Sequence, residues 1–220
     1  MKNNIIIYFI ITLIWGFGCK RNEDPTPIGV DYFPLEIGKY KCYTMDSIAF
    51  DPFKETADTL NYFLKETIES TFIDNSGKGA FRIKVEYSFD TTKSWKFKNY
   101  YAATADIYSA RELQNSMWFV ALTFPVKDRK TWDENELNSL ATQTNRYVDQ
   151  EKPFIVEGTT YNRTITVDKG DEEDPFFRFY GKDVYAEGIG LIQEEFIETE
   201  TQQGKKDGNE YIKKLYDTNW

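Results

Sequence analysis

The chain contains no histidine in 220 residues. That removes every Ser–His and Cys–His catalytic pairing and every His-ligated metal site. Cysteine is nearly absent too. Cys19 and Cys42 are too few for a Cys-rich zinc site or a disulfide framework. Basic residues are outnumbered, with 27 Lys and Arg against 36 Asp and Glu. A net charge of −9 opposes nucleic acid, whose binding rests on neutralising phosphates with cationic side chains. Internal repeats, heptads and low-complexity tracts are missing. Aromatic residues are abundant instead: 15 Tyr, 17 Phe and 5 Trp. The length suits one domain with a sizeable core.

The first 18 residues read as a targeting segment. Lys2 supplies a positive start, and an apolar run from Ile5 to Ile14 follows, interrupted only by Thr12. Gly16, Gly18 and Cys19 close it. The run fits a signal-peptide core and is short for a spanning helix, which needs about 20 residues. Gly16-Phe17-Gly18-Cys19 resembles the lipobox of a bacterial lipoprotein (type II) signal, with Phe17 larger than the residue usual at that spot. The resemblance implies cleavage after Gly18, diacylglyceryl modification of Cys19 and acylation (such as palmitate) of the new amine. Several acyl chains would give stable anchoring, since each buried CH₂ contributes about 0.8 kcal/mol. Residues 19–30, with Pro25 and Pro27 and few apolar side chains, read as an extended tether. Glu23-Asp24 loosely resembles the surface-export signal of Bacteroidetes lipoproteins; a plain solvated linker explains it equally well.

Residues 31–220 read as a single β domain. Phe81, Ile83, Val85, Tyr87 and Phe89 alternate with Arg82, Lys84, Glu86, Ser88 and Asp90, the pattern of a strand with one buried and one wet face. Asn75-Ser76-Gly77-Lys78-Gly79 is turn chemistry, so 60–73 pairs with this strand as a hairpin. Further strands are expected at 40–50, 95–101, 103–110, 117–124, 146–149, 154–156, 161–167, 176–185, 191–199 and 209–216. The stretch 117–124 is apolar on both faces, which predicts a central strand. One short helix is expected at 133–141, with Asp133 as cap and Glu136 three residues on. The expected fold is all-β and mainly antiparallel, either a single curved sheet or half-barrel or a β-sandwich.

Three segments resemble an uncharacterised Bacteroidetes-type lipoprotein family. They are Tyr32-Phe33-Pro34-Leu35-Glu36-Ile37-Gly38-Lys39-Tyr40; Phe124-Pro125-Val126-Lys127-Asp128-Arg129-Lys130-Thr131-Trp132 with Asn135; and Tyr185-Ala186-Glu187-Gly188-Ile189-Gly190-Leu191-Ile192 with Glu194-Glu195-Phe196. In the second, glycine is usual at Arg129 or its neighbour. The resemblance carries no assigned activity. Trp132 also reads simply as an aromatic plug at one end of the core.

Candidate chemistry is sparse. A carboxylate-pair hydrolase needs no histidine, but Glu194 and Glu195 are adjacent on one strand and point to opposite faces. Glu69, Glu86 and Glu198 read as wet-face charge. Asp171-Glu172-Glu173-Asp174 lacks Ca²⁺-loop spacing and reads as a solvated hairpin tip. Cys42 reads as a small buried hydrophobe. Trp95, Tyr100, Tyr101, Tyr108 and Trp118 lie near one another in sequence and are candidate ligand-facing aromatics, though a core role is the commoner one. Asp46-Ser47-Ile48, Asp58-Thr59-Leu60 and Asp90-Thr91-Thr92 resemble acceptor patterns for O-glycosylation, at Ser47, Thr59 and Thr91.

These features predict a lipoprotein anchored to the bacterial outer membrane through Cys19, on its periplasmic or outer face. Its domain would bind a glycan, a lipid or an envelope protein, without cofactor, metal or nucleic acid. The alternative is a carboxylate-pair hydrolase of envelope or extracellular polysaccharide. A passive structural subunit is a third reading.

Overall fold

A computed structural model describes residues 28–74 and 77–220. The segments carrying Gly18, Cys19 and most of the tether lie outside them, as do Asn75 and Ser76. Twelve strands form one antiparallel sheet. They are β1 (Tyr40–Asp51), β2 (Thr56–Ile73), β3 (Gly79–Ser88), β4 (Lys96–Ala105), β5 (Ser109–Gln114) and β6 (Met117–Thr123). The second half holds β7 (Thr131–Asp133), β8 (Thr144–Val156), β9 (Thr159–Glu173), β10 (Phe177–Ala186), β11 (Gly190–Gln202) and β12 (Lys205–Thr218). A 3-10 turn at Val30–Tyr32 precedes them.

Every strand lies beside its neighbour in sequence, and β1 pairs with β12 to join the two halves. The ends of the sheet are therefore β6 and β7, consecutive in the chain. They meet at a seam, where the Val120 amide donates to the Glu134 carbonyl at 2.9 Å. The result is an all-β, nearly closed, barrel-like sheet with almost no helix.

The seam corrects one expectation. The 117–124 strand is apolar on both faces, yet it lies at an end of the sheet, not at its centre. Val120 and Leu122 pack into the core, while Phe119 and Ala121 face the enclosed space. Closure hides both faces of an end strand. The predicted helix at 133–141 is also overturned. Asp133 ends β7, and its carboxylate accepts from the Asn135 and Gln143 amides, pinning a wide loop rather than capping a helix. Phe89 departs from the alternation as well. It lies past the end of β3 and is 60% exposed. The two short strands expected at 146–149 and 154–156 are one strand, β8, interrupted by register shifts. Asp149 and Glu151 there have φ of 51° and 56°. Beyond this bend the β8–β9 hairpin reaches the face of β10–β12 that points away from the enclosed space. Lys182 lies over the Phe154 ring at 5.3 Å, and Val156 joins Val184, Ala186 and Ile192 in one buried cluster.

The three family-like segments converge at one end. Tyr32, Phe33, Phe124, Val126, Trp132 and Tyr185 belong to the same buried cluster, with Leu35 and Leu191 against it. The Gly188 amide donates to the Asp31 carbonyl at 2.7 Å, and Val126 to Ile28 at 3.0 Å. Trp132 is the plug expected of it: its indole donates to the Val120 carbonyl at 2.9 Å, and its ring centre lies 4.5 Å from that of Tyr147. Arg129 has φ 60°, the left-handed region that favours glycine. Its side chain is 87% exposed and makes one long ion pair, 3.7 Å to Asp128. Arg129→Gly should therefore leave stability unchanged or raise it by about 0.5 kcal/mol, relief of strain outweighing glycine's entropy. Urea unfolding of the two chains measures this, and a loss above about 1 kcal/mol would show that the side chain contributes.

Candidate functional site

Alternation sends one set of side chains from each strand into the space enclosed by the curved sheet. That space is a cavity of about 1220 Å³. Its lining is unlike a hydrophobic core. Leu64, Glu66 and Ile68 come from β2, Tyr211 and Lys213 from β12, Asp183 and Tyr185 from β10, and Glu194 and Phe196 from β11. Five lysines and seven carboxylates line it in all, so acids exceed bases by two.

Two clusters organise the charge. In the first, Lys213 is paired with Glu66 at 2.7 Å and reaches Glu194 at 3.8 Å. The Tyr101 hydroxyl donates to Glu66 at 3.2 Å, the Tyr211 hydroxyl donates to Glu194 at 2.6 Å, and the Lys213 ammonium lies 4.3 Å from the Tyr43 ring centre. Burial works to raise the Glu66 carboxyl, but Lys213 and Lys41 together hold it below its usual range. In the second cluster, Lys169 contacts Asp183 at 3.0 Å and Glu134 at 3.5 Å. Asn145 Nδ2 donates to Glu134 at 3.0 Å.

The two carboxyls driven upward equal the excess of acids. Burial and the charge of Glu66 raise Glu112. Burial, reinforced by Glu194 and Glu134, pushes Asp183 up to about 7 against the pull of Lys169. A carboxyl raised in the folded state above its unfolded value of 3.8 binds protons that the unfolded chain has released. Its contribution therefore falls as pH climbs from about 4 to about 7. Glu112 acts in the same sense. Asp183→Asn should flatten the pH dependence of urea midpoints across that window. An unchanged slope would mean that Asp183 is ionised throughout.

Among the described residues, two buried polar atoms in this lining lack a hydrogen-bond partner, Asp183 Oδ1 and the Trp220 indole Nε1. Asp183 is 6% exposed, and its Oδ1 has no hydrogen bond. Tyr185, 4% exposed, lines the same cavity two residues along β10. Lys41 also lines the cavity, with no ion pair among the described residues. Burial pulls its ammonium down, with Lys213 adding to the effect against Glu66. Among the described residues no group of three or more Asp, Glu or Cys is placed to hold a metal ion.

The residues singled out from sequence divide as follows. Tyr100 and Tyr101 both line the cavity, but only Tyr101 touches the charged network. The Tyr100 ring lies against Phe97 and Arg82. Trp95 precedes β4, Tyr108 is 72% exposed in the β4–β5 turn, and Trp118 lies on β6; none of these three lines the cavity. Ser47 lines it, with its hydroxyl donating to the Leu60 carbonyl at 3.2 Å. Thr59 is exposed on β2, and Thr91 is exposed between β3 and β4. Glu195 turns away from the cavity toward Lys182, as adjacency to Glu194 requires. Cys42 is buried, and burial pushes its thiol up to about 11. Glu66, Glu112, Asp183 and Lys213 were not singled out from sequence. Their signal was a charge in phase with apolar residues two positions away, as in Leu64-x-Glu66-x-Ile68.

No protein-family model matches the chain, and no curated protein matches it. Two solved structures resemble it at 10% identity, each over 86% of this chain and 98% of its own. One is a putative lipoprotein from Parabacteroides distasonis, with a TM-score of 0.41. The other is a putative exported protein with a YmcC-like fold from Bacteroides fragilis, with a TM-score of 0.39. Likenesses this distant carry no function to the chain.

Proposed function

We propose that the protein is an envelope lipoprotein, held at the bacterial outer membrane by acylated Cys19, whose β domain binds a polar small molecule inside the sheet. The signal-like residues 1–18 and the lipobox-like Gly16-Phe17-Gly18-Cys19 support the anchor. The binding role rests on one observation: among the described residues the cavity lining holds two buried polar atoms, Asp183 Oδ1 and the Trp220 indole Nε1, with no hydrogen-bond partner. Buried polar groups are ordinarily satisfied, and an unfilled set inside a roomy cavity fits a ligand or ordered water. Twelve charged residues in the lining argue against an acyl chain, which would strand them without water. A saccharide-sized polar molecule suits the mixture of carboxylates, ammoniums and aromatic rings.

Native mass spectrometry of residues 20–220, secreted behind a cleavable signal, tests this. A stoichiometric adduct lost on unfolding is expected. A bare chain that also takes up no added polar ligand would overturn the reading.

A second reading has its own observation. Asp183 and Glu194 stand opposite each other in the β10–β11 register, one raised and one paired with Lys213 and Tyr211. That sets a carboxyl raised by burial opposite one held by a lysine and a tyrosine, the kind of asymmetry a carboxylate-pair hydrolase uses. Turnover of a polysaccharide panel, abolished by Asp183→Asn, would establish it in place of binding alone.

A further inference from the structure

Two unmet donors of the cavity gather at one corner. Lys41 on β1 stands opposite Glu66 of β2 in the strand register, yet its ammonium does not pair with that carboxylate. Glu66 is held instead by Lys213 at 2.7 Å and by the Tyr101 hydroxyl at 3.2 Å. The Lys41 Nζ lies on the other side, 3.2 Å from an ideal Cβ position on Gly190, the first residue of β11. Glycine there leaves room beside the ammonium. Trp220 reaches the same corner. It follows Asn219, whose side chain accepts from the Tyr40 amide at 2.7 Å and donates to the Gly38 carbonyl at 3.2 Å, fastening this segment to the start of β1. Lys39, two residues before Lys41, lies over the Trp220 ring at 5.5 Å. Trp220 packs against the same buried cluster as Leu191, the residue after Gly190. Its indole Nε1 is buried and has no hydrogen-bond partner among the described residues. Lys39, Lys41, Gly190, Leu191 and Trp220 all line the cavity.

Resting on the reading of this cavity as a binding site, we infer that its ligand is a polyhydroxylated acid whose anionic group sits at this corner, against the Lys41 ammonium and the Trp220 indole. Both unmet groups can only donate. Water or a neutral hydroxyl would satisfy the indole but leave the ammonium without a counter-charge, and a buried unpaired ammonium is costly. Burial pulls Lys41 down, and a bound anion offsets that pull. Hydrogen bonds from an ammonium to an anion are the strong kind, and they gain further beside the apolar walls of Leu35 and Leu191. The acids of the lining are engaged elsewhere: Asp183 and Glu134 contact Lys169, and Glu66 and Glu194 contact Lys213. The free Asp183 Oδ1 asks for the opposite partner, a donor, which a hydroxyl of the same molecule supplies. A sugar carboxylate and a sugar phosphate share this chemistry and differ in the group that carries the charge.

Four probes on the intact secreted domain separate the cases by isothermal titration calorimetry: glucuronate, glucose, glucosamine and inorganic phosphate. Glucuronate is expected to bind at least ~10-fold more tightly than glucose, the same ring without the charge, and glucosamine no more tightly than glucose. Phosphate binding without glucuronate binding would assign the anionic group to a phosphate. Lys41→Met should weaken the anion by ~10-fold and Trp220→Phe by ~5-fold, with glucose unaffected by either. Each variant's thermal transition checks that it is folded. Anion binding that neither substitution weakens overturns the corner as its seat. Glucose or glucosamine binding as tightly as glucuronate and phosphate overturns the anion while leaving the cavity as a binding site. A neutral or cationic adduct in native mass spectra would do the same, whereas an acidic adduct lost in Lys41→Met supports the anion even where no probe binds. No binding of any probe, with no native adduct, overturns both.

Discussion

Lys213→Met should cost the fold about 3–5 kcal/mol, because it strands the buried carboxylate of Glu66. The two side chains are 11% and 9% exposed, and their 2.7 Å contact bridges β12 and β2 across β1. Removing the ammonium leaves Glu66 with only the Tyr101 hydroxyl as a close donor, and Glu194 with only Tyr211. The double variant Lys213→Met with Glu66→Leu should recover most of the loss, since an apolar pair of similar volume replaces a desolvated ion pair at little cost. Denaturant unfolding of the singles and the double closes the cycle. A single variant losing less than about 1 kcal/mol would mean that water from the cavity solvates Glu66 freely.

Gly208→Ala should be comparably severe for a steric reason. Gly208 lies within β12 between β11 and β1, opposite Thr199 and Phe50. Its φ is +118°, and a Cβ there would stand 2.1 Å from the Glu198 carbonyl oxygen and 2.8 Å from the Thr199 Cα. Both are backbone atoms fixed in the ladder, so neither can yield cheaply. A loss of about 3 kcal/mol is expected, lowering the melting temperature by roughly 6–12 °C in a chain of this size. Gly204→Ala is the matched control. Gly204 has φ +79° in the β11–β12 turn, and nothing lies within 4 Å of a Cβ there. It should lose only about 1 kcal/mol. Equal losses at the two glycines would mean that backbone conformation, not the close approach, is the cause.

The ladder was legible in the sequence because alternation is a local property. Ile83 and Val85 against Arg82 and Lys84 locate β3, and turn residues locate the hairpins. The bend in β8 was not legible, because it depends on Asp149 and Glu151 adopting φ values that neither residue type demands. The seam was hidden for a different reason. An end strand looks central in sequence when the opposite end of the sheet covers it, as Trp132 covers β6. The helix reading failed because Asp133 followed by Glu136 satisfies both a helix start and a loop pinned by one carboxylate, and the Gln143 amide that decides between them is ten residues away. The cavity was half legible. Glu66, Asp183 and Lys213 each share a face with apolar neighbours, which marks charge pointing inward. What they point at depends on β1 meeting β12, and no window of sequence contains that.

The pairing of β1 with β12 has a consequence for the order in which the molecule can be made. All other ladders join strands consecutive in the chain, and each can zip as it is synthesised. The outer edge of β1 waits for Lys205–Thr218, the last of the described strands in chain order. Until then its row of amides and carbonyls is open, a template for any stray strand. The β1 edge thus stays open longer than any hairpin ladder in the sheet, since its partner strand lies more than 150 residues further along the chain.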